Sequence, residues 1–540
     1  MRRSLQFFSA VLLLANLAGC ENKIPVIDSI EPRIGNMGEP LTLYGKNFGK
    51  DQNESFITIA GAPPTMSSYD EWGDTKIVLI VPEFAEPGLI YVHREGRISN
   101  PVLFANKATM PETVRMDELY NEPRINSVEP KSAAIGSLVS ITGANFGSSR
   151  ESSGVWFAWD AESAPSAPAE HRTSDMAEVF DTELGYDLWS DREIRVRVPD
   201  GAVSGNLEVR TSRGNSRPVY LEITGKPGTK TFKDKRSYTL TYSVDIRAEA
   251  AALPNSLYLW LPKPQPSASQ RNIQLLSRTA EPYVENYRGS SLYQFSNMMP
   301  RTSRTITVSN AVDVYAVETS IRPASVRQEN SPFRTIYTMP SVLIPSDDSR
   351  IKTQSTAIIG RENNPYSRAK LIYDWMLKNG GIQTEPMKGG ALEALEEKKA
   401  DSYSASLLFC ALARAAGIPA LPVSGVLVDR SLGTARHYWA EFWIDSFGWI
   451  PVDPALGAGA APADFILRDD RVNYYFGNCD NQRIIFSRGQ TILSQMDPRG
   501  RVTGRTRDYA LQNLWEEATG GLESYSSLWS DVTITGVYAQ

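Results

Sequence analysis

Ala400–Ala420 reads ADSYSASLLFCALARAAGIPA, and two shorter stretches follow it: His437–Glu441, HYWAE, and Gly448–Pro454, GWIPVDP. From Ser402 to about Ala416 the first stretch carries Leu408, Ala411, Leu412 and Ala415 at the spacing of one buried helical face, and Gly417 stops it. Strands are predicted next, over Val423–Val428, His437–Ile444 and Trp449–Val452. His437 and Asp453 stand 16 residues apart across a turn near Ser446. An even separation lets both side chains face one side of a hairpin, if the register cooperates. The pattern is helix then sheet, an α+β arrangement.

Working outward, a second helix is predicted over Tyr366–Lys378. Ala369, Ile372, Tyr373, Met376 and Leu377 share a face, Asn364-Pro365 opens it and Gly380-Gly381 closes it. Upstream, Lys226-Pro227-Gly228 reads as a linker into a β-rich segment. There Tyr238, Leu240, Tyr242, Val244 and Ile246 alternate with polar residues, and Leu257–Pro262 and Thr305–Val308 supply further strands.

Further still toward the N-terminus the chain repeats itself. Ile24–Gly49, IPVIDSIEPRIGNMGEPLTLYGKNFG, matches Glu122–Gly147, EPRINSVEPKSAAIGSLVSITGANFG. Trp72-x-Asp74 with Val81-Pro82 returns as Trp189-x-Asp191 with Val198-Pro199, so the second copy holds about nineteen extra residues within Ala158–Asp187. Short alternating runs between Gly, Pro and Asn turns predict a small antiparallel sandwich for each copy. The glycines are expected where a turn needs positive φ, and Phe48 and Phe146 where they plug the sandwich end.

The first twenty residues read as an export signal and stay outside the fold. Arg2 and Arg3 precede an apolar Leu5–Leu14, too short to span a bilayer, which ends in Leu17-Ala18-Gly19-Cys20. The whole chain has 540 residues, a net charge of −6 and a pI near 5.5, with no run of like charge. A clustered cationic face is what nucleic-acid and polybasic membrane binding require, so neither is expected. Beyond Cys20 only Cys410 and Cys479 remain, too few for a disulfide framework. His93, His171 and His437 are too scattered for a zinc site, and no metal or other cofactor is expected.

Three resemblances follow from these motifs. Leu17–Cys20 resembles the bacterial lipobox, which implies a lipid on Cys20 and a protein held at a membrane. The repeats resemble IPT/TIG domains, immunoglobulin-like modules that act as spacers or binding surfaces. Residues 400–420, 437–441 and 448–454 together resemble the transglutaminase-like (papain-fold) superfamily. Its pattern is Gly-x-Cys, an apolar helix ending Arg-x-x-Gly-Ile-Pro-Ala, then His-x-Trp-x-Glu and Gly-Trp-x-Pro-x-Asp-Pro.

The last resemblance implies a Cys/His/Asp site. His437 and Asp453 fill two of its positions, but Ser402 stands where the nucleophile would be and Ala400 replaces the glycine. A thiol near pKa ~8.5 is readily ionised by a neighbouring imidazole and a helix N-terminus. A hydroxyl needs a base placed for concerted proton transfer. Cys410 lies eight residues further along the helix, about 12 Å away.

The expected organisation is multidomain: signal 1–20, all-β sandwiches 24–106 and 123–224, a β-rich domain 229–345, a papain-like α+β core 346–490 and a C-terminal extension 491–540. Three functions compete: a degenerate domain that binds peptide or cell-envelope polymer, an active Ser402-His437-Asp453 amidase or acyltransferase, and a structural or adhesive surface lipoprotein.

Overall fold

A computed structural model describes residues 24–82, 88–107, 122–161, 176–180, 184–328 and 332–539. The signal segment and Cys20 lie outside these residues. The described chain divides into two compact units, one made by the first repeat with residues 496–498 and one by the remaining described residues from 122 onward.

Both repeats are sandwiches, and their shared motif has a packing cause. Gly45 and Gly143 sit where a Cβ would lie 2.0 Å from Val26 O and 2.1 Å from Arg124 O, and 2.4 Å from the Phe48 and Phe146 rings. Close approach of strand and ring, rather than positive φ, therefore demands glycine at this position. Left-handed backbone falls instead on Asn47 and Asn145, at φ 63° and 66°, and on the glycines after each phenylalanine. Asp74 and Asp191 accept the amides of Gly49 and Gly147, both at 3.0 Å, which accounts for the repeated Trp-x-Asp. Phe48 and Phe146 are buried at the sandwich end, as expected. Of the extra residues in the second copy, Met176–Glu178 forms an edge strand on Gly154–Trp159.

The β-rich segment is built on β1 (Gly228–Pro262), a strand 35 residues long. The sheet adds β2 (Gln270–Arg278), β3 (Ser290–Ser296) and β4 (Ser303–Ile321), with β2 at one edge. The helical layer holds α1 (Pro365–Asn379) and α2 (Ser402–Ala415). A four-stranded antiparallel sheet follows: β5 (Ala420–Val428), β6 (Thr434–Ile444), β7 (Gly448–Val452) and β8 (Arg483–Arg488), in the order β7-β6-β5-β8. Helix α2 is buried from Tyr403 to Ala413, not along one stripe, because other helices and the sheet surround it. Ala415 is half-buried and packs against that core.

Two predicted boundaries do not hold as separations. The stretch 491–540 is no appendage, since β9 (Glu516–Trp529) and β10 (Thr533–Ala539) both pair with β1. The β-rich segment likewise shares its core with the small sheet, through Val426, Val428, Ile484 and Phe486 packed with Tyr242, Trp515 and Trp529. Alternation in β1 marked the strand but could not reveal its partners.

The second sandwich is not a free-standing spacer either. Its core runs on into Leu421, Val423, Trp439, Trp443 and Trp449 of the small sheet. Lys230 ties the contact by donating to Asp200 at 2.5 Å and to Trp449 O at 2.7 Å. Gly136 has φ +85°, and a Cβ there would lie 2.6 Å from Trp443 Cζ2. Gly136→Ala is expected to cost roughly 1–3 kcal/mol by overpacking this seam. A thermal melt matching the parent would show that the seam yields freely.

Candidate active site

The small sheet has two differently dressed faces. Tyr438, Ala440, Phe442 and Ile444 of β6 join the helical core. On the opposite face His437, Trp439, Glu441 and Trp443 alternate with them. Ala440 pairs with Val452. Continued by one residue, that register sets Asp453 opposite Trp439 and diagonal to His437, on the same face. The even spacing read from the sequence thus meets a register that cooperates.

His437 Nε2 lies 2.8 Å from Asp453 Oδ2. The carboxylate can only accept, so Nε2 carries a proton and Nδ1 is the ring nitrogen turned away from Asp453. Among the described residues nothing hydrogen-bonds Nδ1. Asp453 is fixed from three further directions. It caps α3 (Pro454–Ala458) by accepting the Leu456 amide on Oδ1 at 3.0 Å, its own amide donates to Tyr475 O at 2.9 Å, and Arg483 Nη1 reaches Oδ2 at 3.1 Å.

Arg483 is the centre of a buried charge cluster that sequence reading missed. Its Nη2 donates to Asp480 Oδ2 at 2.8 Å, and its guanidinium lies 4.8 Å over the Trp439 ring, which in turn stacks beside His437 at 6.1 Å. His437, Asp453, Asp480 and Arg483 are each at most 3% exposed. Burial alone would raise both carboxyls. The charges of His437 and Arg483, with the Leu456 amide, outweigh it and hold Asp453 below its ordinary value. Arg483 and the Gln482 amide do the same for Asp480, against the opposing charge of Asp453. The available signal was an arginine opening the apolar strand RIIFSR three residues after Asp480.

Ser402 opens α2 and is half-buried. Its Oγ makes no hydrogen bond to any described residue, so the structure brings His437 and Asp453 together without closing a chain to Ser402. Asp401 does the local work. Oδ1 accepts Ser404 N at 2.9 Å and Ser404 Oγ at 2.7 Å, while Ser404 Oγ accepts Asp401 N at 3.1 Å. Oδ2 takes the Met387 amide at 2.9 Å and Arg507 Nη1. Arg507 also donates to Gly389 O at 2.6 Å and covers the Tyr403 ring at 4.4 Å. No sequence signal linked residue 507 to a helix tip a hundred residues earlier. Asp401→Ala is expected to cost about 1–2 kcal/mol for the lost cap, read by denaturant titration. An unchanged midpoint would mean Ser404 and water replace it.

Neither thiol is poised for chemistry. Cys410 and Cys479 are free and buried, and burial pushes Cys410 up to about 12 and Cys479 up as well. Among the described residues no group of three or more His, Cys, Asp or Glu is arranged to hold a metal.

Residues 352–454, spanning α1, α2, His437 and Asp453, match the profile of the transglutaminase-like superfamily. The chain carries a transglutaminase-like domain. Residues 25–105 and 123–160 match the IPT/TIG domain. An uncharacterized protein of Haemophilus influenzae is 29% identical over 173 residues, which cover 26% of this chain and 46% of that protein. This chain thus spans about half the length of that relative. Among solved structures, a proposed cysteine protease from Cytophaga hutchinsonii aligns at 15% identity and TM-score 0.36, over 58% of this chain and 93% of its own. SGBP-B, from a xyloglucan utilization locus in Bacteroides uniformis, aligns at 11% identity and TM-score 0.16, over 55% of this chain and 99% of its own.

Proposed function

We propose that the transglutaminase-like domain has lost its family's thiol chemistry and serves as a binding domain for peptide or cell-envelope polymer, exported and held at a membrane by lipid on Cys20. One observation carries the reading of degeneracy. The residue at the tip of α2 is a serine with no hydrogen bond to His437, and the Asp453 carboxylate is shared with a buried arginine. A serine hydroxyl far from its pKa needs a strong, aligned base. The Asp453 charge that would stabilise the imidazolium is partly compensated by Arg483 at 3.1 Å. Cys410 and Cys479 are both sealed in the core and do not take the place of the missing thiol.

Exposure to a fluorophosphonate tests this. Ser402 is expected to remain unmodified, with Ser402→Ala labelling to the same low level as the parent. An adduct on the parent that Ser402→Ala abolishes would favour the active-site reading. That second reading rests on one feature, the intact His437–Asp453 pair with Nδ1 unoccupied. In it Ser402 attacks an amide carbonyl, His437 Nδ1 takes the hydroxyl proton, and the leaving amine receives that proton as the acyl-serine forms. Water then releases the acid. Ser402→Cys separates the two further. Gain of amine incorporation would mean that only the nucleophile was lost.

A further inference from the structure

A cleft of about 1190 Å3 opens between the second sandwich, strand β2 and residues 490–492, and Ser402, His437 and Asp453 do not line it. Two strand edges meet there. Met176–Glu178 ends the sandwich sheet, and β2 ends the sheet built on β1. A terminal strand presents one row of backbone N–H and C=O groups to whatever lies beside it. Along β2, Leu275 and Leu276 are 48% and 52% exposed, and Ile273 and Leu275 both line the cleft. An apolar edge left bare is a template for pairing with another chain.

The charge in the cleft selects among chains. Its described lining has five Arg or Lys side chains against three Glu. Glu285 is engaged by Arg278 and Arg488 by Glu441, both from outside the cleft, which leaves four cations against two carboxylates. Lys263 Nζ donates to Glu285 O at 2.7 Å and Arg288 Nη1 to Ile492 O at 2.9 Å. Neither cation has a carboxylate in ion-pair contact among the described residues. Burial pushes the Lys263 ammonium down, and the charge of Glu285 opposes that only in part.

We propose that this cleft binds an extended acidic peptide, added as a strand along β2, with Lys263 and Arg288 taking its carboxylates and Ile273 and Leu275 its apolar side chains. An added strand lies about 4.8 Å from its neighbour and turns alternate side chains to opposite faces. The favoured sequence therefore alternates acidic and apolar residues. An acidic polysaccharide would meet the same cations but has no amide row to match the edge. The assignment stands whether or not Ser402 is reactive.

The test uses the full chain in detergent with a fluorescein-labelled (Glu-Val)5 peptide, (Lys-Val)5 as control and alginate as the acidic glycan. Binding of (Glu-Val)5 is expected, with amide-exchange protection appearing over residues 270–278. A Lys263→Met/Arg288→Met double variant, melting like the parent, should bind at least tenfold more weakly, and added salt should weaken the parent likewise. Ile273→Asp keeps both cations and should also lose binding. The proposal is overturned if (Glu-Val)5 does not bind, if it binds without protecting 270–278, or if alginate alone binds with the double variant's sensitivity.

Discussion

Arg483→Met should lose roughly 3–5 kcal/mol of stability, because removing one member of a buried ion cluster strands the others. Asp453 and Asp480 would then face each other in a site at most 3% exposed, with His437 still bonded to Asp453. The loss has a signature in pH. Both carboxyls are held low in the folded parent, so their contribution is complete above the unfolded carboxylate value near ~3.9 and disappears as pH falls through the folded values. Without the guanidinium, burial raises them instead, and the variant loses stability as pH rises through the carboxylate range. The melting gap between parent and variant should therefore be wide at neutral pH and narrow near pH ~3. A gap independent of pH would mean that lost packing against Trp439, and not charge, explains the effect.

Cys20→Ser carries the second large effect, on location. If Cys20 bears the lipid, the parent should incorporate labelled palmitate and sediment with membranes, and the variant should do neither. Two acyl chains hold a protein far more firmly than the marginal binding of a single myristoyl chain, so the shift between fractions should be nearly complete. Unlabelled parent protein in the soluble fraction would rule out the anchor and leave Leu5–Leu14 as an ordinary export signal.

Much of the fold could be read from local pattern, and the reasons are specific. Asn47-Phe48-Gly49 and Asn145-Phe146-Gly147 repeat because one turn geometry recurs, and Trp-x-Asp repeats because the aspartate caps that turn. The spacing of His437 and Asp453 was informative because antiparallel register preserves parity. Contacts between distant segments were not legible. Nothing local says that Arg507 binds the Asp401 carboxylate at the start of α2, that Trp443 rests on Gly136, or that 516–539 belongs beside β1. Arg483 was hidden for a different reason. A charged residue in an apolar strand reads as an exposed end, and only its partners, Asp453 and Asp480, make it a core residue.

The long strand β1 has a consequence for biosynthesis. Its flank from Arg236 to Leu259 is completed by residues about 257–303 positions later, Glu516–Trp529 and Thr533–Ala539. While the ribosome is still making the intervening chain, that flank has no native mate, and pairings this remote form slowly. A stop codon placed before residue 516 should thus yield aggregates instead of a shortened but folded protein.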